Sequence, residues 1–173
     1  MLKLYMNKIL IIFFLILSSL SASEPMIVML EGVYNNKFQK FSYYNKTFFC
    51  KAYGVLSLED VAMKNKDNQT CVDAIISLYR NNPNLKYYSL GILKNKQRYR
   101  VEMKSDGSCL LYARGKSTLS ELLLENGLAL LKPNFRDKEL KYRFKKAQLR
   151  AKITDKAIWS QKIKMKCLSF FED

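Results

Sequence analysis

Between Met26 and Val55 the chain is written in short apolar, aromatic and β-branched runs cut by asparagine. The runs are Met26–Leu30, then Phe38, Phe41, Tyr43 and Tyr44, then Thr47–Val55, with Asn35-Asn36 and Asn45-Lys46 between them. Such side chains pack well on a pleated surface and asparagine tolerates turn conformations, so the segment is read as a meander of three strands. Ser57–Gln69 is polar and charged and is read as a loop. A helix is expected over Cys71–Arg80, capped by Thr70, with Val72, Ile75, Ile76 and Tyr79 on one buried face, and Asn81-Asn82-Pro83 stops it. Further strands are expected over Lys86–Leu93, Arg98–Met103 and, after the turn at Asp106-Gly107, Cys109–Ala113. Strands, a helix and more strands fit an α+β chain with a small closed barrel better than a sandwich.

The last third is helical in pattern. Leu119–Asn126 carries Leu119, Leu122 and Leu123 and ends at Gly127, which can take the left-handed cap. Asp137–Ile153 places Leu140, Phe144, Ala147 and Ala151 along one side and Lys138, Lys141, Arg143, Lys145, Arg150 and Lys152 elsewhere. Residues 161–173 read as a basic tail.

At 173 residues the chain has room for one domain and its extras. Lys3 and Lys8 precede an apolar run, Ile9–Leu17, and a small polar cluster from Ser18 to Ser23. That is the pattern of a signal peptide over residues 1–23, and the run is shorter than the roughly 20 residues that span a bilayer. A retained anchor is the other reading. Export makes the chain secreted or periplasmic, with no transmembrane segment after cleavage and with the domain over residues 24–160.

Four cysteines, Cys50, Cys71, Cys109 and Cys167, lie beyond that segment, which suits two disulfides in an oxidising compartment. Number alone leaves three pairings open. Their wide scatter disfavours zinc. The formal net charge is +15, and it loses two with Lys3 and Lys8. A surface so basic attracts polyanions, nucleic acid among them. There is no histidine, which excludes histidine-dependent hydrolases and nucleases. Carboxylates and cations are left to carry any chemistry.

Specific residues now point further. Leu111-Tyr112 through Leu119, Glu121-Leu122-Leu123, Gly127-Leu128-Ala129, Lys132-Pro133-Asn134, Ala147–Lys152 and Ile158-Trp159-Ser160 follow one another in the order and approximate spacing of the staphylococcal nuclease (thermonuclease) family, which this chain resembles. The resemblance implies a small five-stranded OB-type β-barrel with about three helices. In active members it implies calcium-dependent hydrolysis of DNA and RNA, using two metal-binding carboxylates, two arginines on the phosphate and a glutamate base.

Lys51-Ala52-Tyr53-Gly54-Val55-Leu56-Ser57-Leu58-Glu59 is similar to the family segment that carries much of this machinery. On that match Glu59 keeps the base position, and Lys51 replaces an arginine with loss of the bidentate fork. Leu56 and Val33 stand where metal-binding aspartates are expected, and Ser108 where the second arginine is. Glu31 and Asp60 are the carboxylates left near the metal positions.

The expectation is therefore an exported, catalytically degenerate domain that binds nucleic acid or another polyanion. Lys141, Lys145 and Arg150 would contact phosphate, and Tyr53 and Tyr112 are candidate stacking residues alongside Tyr43, Tyr44, Phe48 and Phe49. A calcium-dependent nuclease using Glu59, Lys51, Glu31 and Asp60 is the alternative, and an envelope protein-binding or structural module a third. No cofactor is expected unless the chain is an active nuclease, when calcium is implied. Oligomeric state stays open. The resemblance also implies Cys50 paired with Cys109, on neighbouring third and fifth strands, and Cys71 paired with Cys167.

Overall fold

The computed structural model describes residues 24–168; the signal-peptide expectation for residues 1–23 and the end of the basic tail lie outside them. Three strands open the chain, β1 (Met26–Val33), β2 (Phe38–Tyr43) and β3 (Lys46–Lys51), followed by a short β4 (Val55–Ser57). Strands β2 and β3 form a hairpin in which Tyr43 faces Lys46 across the two residues Tyr44 and Asn45. Alternation sends Gln39, Phe41 and Cys50 inward and leaves Phe38, Lys40, Phe49 and Lys51 on the outer surface.

β4 runs straight into α1 (Leu58–Lys64), where a loop was expected. The reason is a capping box: Ser57 Oγ accepts from the Asp60 amide at 3.2 Å, and the Asp60 carboxylate accepts from the Ser57 amide at 3.1 Å. Buried Leu58 and Val61 then hold the turn against the core.

α2 (Gln69–Asn81) is capped by Asn68, whose Oδ1 accepts from the Cys71 amide at 3.3 Å, rather than by Thr70, which instead donates to Asn68. Its buried residues are Cys71 and Ile75, whereas Ile76 is exposed, so the inward face lies one residue away from that expected. The strand expected over Lys86–Leu93 is not formed. Pro83 opens α3 (Pro83–Lys86), and α4 (Tyr88–Ile92) follows. Asn36, in the β1–β2 turn, fixes this segment as helix: its side-chain oxygen accepts from the Ser89 amide at 2.9 Å, and its amide donates to Leu85 O at 2.7 Å.

Strands β5 (Arg98–Met103), β6 (Cys109–Arg114) and β7 (Ser117–Thr118) follow, then α5 (Leu119–Glu125), β8 (Ala129–Leu131), α6 (Lys138–Ile153), a 3-10 turn (Ala157–Trp159) and α7 (Gln161–Cys167). The chain is thus α+β, with seven α-helical segments among the described residues instead of about three. The surplus is short helices in connections and a helix where a tail was expected.

The ladders make a six-stranded antiparallel sheet, in the order β3-β2-β1-β5-β6-β7, and a separate β4-β8 pair. They do not close into a regular five-stranded barrel. Beyond the ladders, β3 and β6 meet through a single parallel bridge, Ala52 to Cys109, and a disulfide, Cys50–Cys109, with Cα atoms 5.5 Å apart. A second disulfide, Cys71–Cys167, has Cα atoms 4.8 Å apart and ties α7 to α2.

The core is one continuous cluster of sheet and helix side chains, including Leu30, Phe41, Val101, Leu111, Leu123, Phe144 and Ile158. α5 packs along α6. Gly127 ends the turn after α5 with φ +65°, where a Cβ would run into the Lys156 carbonyl. No helix among the described residues is long and apolar enough to cross a membrane.

Candidate functional site

The segment from Lys51 to Asp60 brings two of the expected residues together. Lys51 Nζ lies 3.3 Å from Asp60 Oδ1, and Lys37, from the β1–β2 turn, approaches the same oxygen at 2.8 Å. Asp60 Oδ2 is taken by the Ser57 amide and hydroxyl, each at 3.1 Å. Both oxygens of this buried carboxylate are therefore engaged by protein donors. Burial alone would raise its pKa. The hydrogen bond from Lys37 and the charges of Lys51 and Lys37 outweigh that and hold it below the usual carboxylate range. Two ammonium groups around one carboxylate leave excess positive charge, which suits an anion and not a cation.

Glu59, one residue earlier, turns toward α2. Tyr79 Oη donates to Glu59 Oε1 at 3.3 Å, and Glu59 Oε2 is buried without a hydrogen-bond partner. Burial, reinforced by the charge of Glu59 and the hydrogen bond to it, pushes the Tyr79 phenol far above its ordinary value, so Tyr79 acts as a donor.

Glu31 has other partners again. Ser42 Oγ donates to it at 2.6 Å and Lys96 Nζ sits 2.5 Å from its other oxygen. The Lys96 hydrogen bond, then that of Ser42, keeps Glu31 ionised below the usual range. Glu31 and Asp60 thus belong to separate lysine pairs, and no group of three or more Cys, Asp or Glu side chains suited to a metal occurs among the described residues. Leu56 is in the core. Val33 is half-buried at the end of β1. Ser108 is buried and spends its amide and hydroxyl on Asp106, closing the turn before β6.

The expected stacking tyrosines are already engaged. Lys104 Nζ sits 5.1 Å from the centre of the Tyr53 ring, whose edge meets Phe135. The Arg100 guanidinium lies 4.6 Å from the Tyr112 ring, and Tyr112 Oη donates to Glu102 at 2.8 Å. Burial raises the pKa of both phenols, with help from Asp137 and Asp106 at Tyr53 and from Glu102 at Tyr112.

Open aromatic surface lies instead on the outer face of the β2–β3 hairpin. Phe49 (54% exposed) pairs across the strands with Lys40, and Phe38 pairs with Lys51. Tyr34 (58% exposed) packs against Phe49 with ring centres 5.6 Å apart, and Lys37 Nζ lies 5.0 Å from the Phe38 ring. Three rings therefore share one face with Lys40 and Lys51, while Lys37, its side chain largely buried, and Lys51 are held by Asp60. Neither a protein-family model nor a curated protein matches this chain.

The basic helix does not present its candidate residues together. On a helix of 3.6 residues per turn, Lys141 and Lys145 share a flank, whereas Arg150 projects about 140° away from Lys145. Arg150 is bound to Glu125 at 2.9 Å and the neighbouring Arg143 to Glu121 at 2.7 Å. Sequence reasoning missed Tyr34, Lys37, Phe38 and Lys40. The signal was present in the alternation Phe38, Lys40 and Phe49, Lys51, which fall opposite one another once the hairpin is centred on Tyr44-Asn45.

Proposed function

We propose that this chain is an exported domain of the staphylococcal nuclease type that no longer supports calcium-dependent hydrolysis and binds single-stranded nucleic acid, or a polyanion like it, on the outer face of β2–β3. The observation that carries this reading is the cross-strand alternation of Phe38 and Phe49 with Lys40 and Lys51. Exposed rings offer bases a stacking surface that any base can use, while lysines between them meet the phosphates. The reading of the sheet as OB-type, though its ladders do not close, is supported by the neighbour order β3-β2-β1-β5-β6 and by the bridge from Ala52 to Cys109. Export rests on the amino-terminal pattern and is consistent with two disulfides.

The reading that hydrolysis is lost rests on the surroundings of the expected catalytic positions. Asp60 has its oxygens filled by Lys37, Lys51 and Ser57, Glu31 is held by Lys96, and Leu56 and Ser108 supply neither metal ligand nor phosphate clamp. The test is oligonucleotide binding by fluorescence anisotropy across a salt series. Affinity should fall steeply with salt and drop by about fivefold or more in Phe49→Ala; absence of binding at low salt would remove this function.

A further inference from the structure

α6 carries a second surface that polyanion binding does not use. Its inward residues are Leu140, Phe144, Ala147 and Ala151. On the opposite side, within about 40° of one another, project Tyr142, Leu149 and Ile153, which are 72%, 53% and 72% exposed. A helix normally buries one apolar stripe and turns its polar side to water. This one has apolar side chains on both sides, and among the described residues the outer ones belong neither to the core nor to the hydrophobic side chains packed against it.

The two flanks of that outer stripe differ. On one, Arg143 and Arg150 are tied to Glu121 and Glu125 of α5. On the other stand Lys138, Lys141, Lys145 and Lys152. Lys152 lies over the Trp159 ring at 4.3 Å, and the other three have no carboxylate within salt-bridge distance among the described residues. An uncompensated row of cations beside an apolar stripe calls for an anionic partner with an apolar interior.

We infer that the outer face of α6 docks on an anionic lipid bilayer surface, with Tyr142, Leu149 and Ile153 entering the headgroup boundary and the lysine row meeting the lipid charges. A partner helix fits less well. The heptad seam that takes in all three, with Tyr142 and Leu149 at d and Ile153 at a, also places Lys146 at an a position, which costs a packed seam stability but can snorkel at a lipid interface. A second copy of this chain would bring its own strong positive charge to the same row. A surface-lying helix of α6's length, about 24 Å, suits shallow insertion without spanning.

The test is flotation of the chain from Glu24 to Asp173, whose core runs from Val28 to Leu168, with vesicles of phosphatidylcholine alone or with about one-third phosphatidylglycerol. Binding should appear with the anionic vesicles and be weak with the neutral ones. The doubly substituted Leu149→Glu, Ile153→Glu protein should lose at least tenfold in partitioning. Lys138→Gln, Lys141→Gln and Lys145→Gln should each lose roughly fivefold, the worth of one basic residue at an anionic surface. These residues are exposed, or half-buried in the case of Lys141, so unchanged circular dichroism is expected and checks the fold. Undiminished partitioning by the double glutamate variant would overturn the inference, as would a concentration-dependent dimer that this variant abolishes, which would assign the face to a second copy. Neither result bears on oligonucleotide binding by β2–β3.

Discussion

Asp60 Oδ1 lies 2.8 Å from Lys37 Nζ and 3.3 Å from Lys51 Nζ, so a single buried carboxylate joins the β1–β2 turn, the end of β3 and the start of α1. Asp60→Asn removes the charge that both lysines answer to and weakens the cap on Ser57. We expect it to cost about 1–3 kcal/mol at pH 7 by urea denaturation, because Lys37 is left largely buried without a counter-charge. The pKa of Asp60 is depressed on folding. Its contribution is therefore complete above the unfolded value of about 3.9 and is lost as pH falls through the lower folded value. The gap between parent and variant should close below about pH 4.

Calcium should support no cleavage of single- or double-stranded DNA above background. A metal at this site would have to displace lysines from Asp60, and Glu59 accepts a hydrogen bond from Tyr79. Calcium-dependent product formation that disappears in Glu59→Gln would restore the nuclease reading.

Replacing Cys71 and Cys167 with serine should lower stability by about 2–5 kcal/mol, since that bridge spans 96 residues and anchors α7 on α2. Peptide mapping without reduction should recover Cys50 joined to Cys109 and Cys71 joined to Cys167. Four free thiols in protein from an oxidising compartment would contradict the fold described.

Backbone conformation predicts substitutions of opposite sign. Tyr44, 86% exposed at the tip of the hairpin, has φ 50°, a region costly for a bulky side chain, so Tyr44→Asn should gain up to about 1 kcal/mol. Gly54 has φ +75° and a Cβ there would meet the Phe135 ring at 2.5 Å, so Gly54→Ala should lose more than 2 kcal/mol. Thermal unfolding of the two variants separates them.

Much of the architecture could be read from local pattern. The runs around Phe41 and Val101 alternate as strands, and Leu140, Phe144, Ala147 and Ala151 repeat as a helix, because burial on one face imposes those periods. What could not be read was decided by single polar contacts. Ser57 and Asp60 made a helix of a stretch that looked like loop. Asn36, more than 50 residues away in sequence, held Ser89 in a helix although Tyr87 and Tyr88 favour strand. The surroundings of the expected stacking tyrosines were illegible for a related reason. Tyr53 and Tyr112 are aromatic residues in the right segments, but only the fold places Lys104 and Arg100 over their rings. Phe38 and Lys40 became visible once the register of β2 against β3 set them opposite Lys51 and Phe49.

The most direct measurement is the salt dependence of binding to a short single-stranded oligonucleotide, comparing the parent with Phe49→Ala and with Lys40→Gln. The parent's log affinity should fall linearly with log salt. Phe49→Ala should lower affinity at every salt concentration by roughly 1–3 kcal/mol while keeping the slope, as loss of one stacked base requires. Lys40→Gln should flatten the slope by roughly 0.7, as loss of one phosphate contact to a single strand requires. Affinity and slope that neither substitution alters would contradict a binding face on β2–β3.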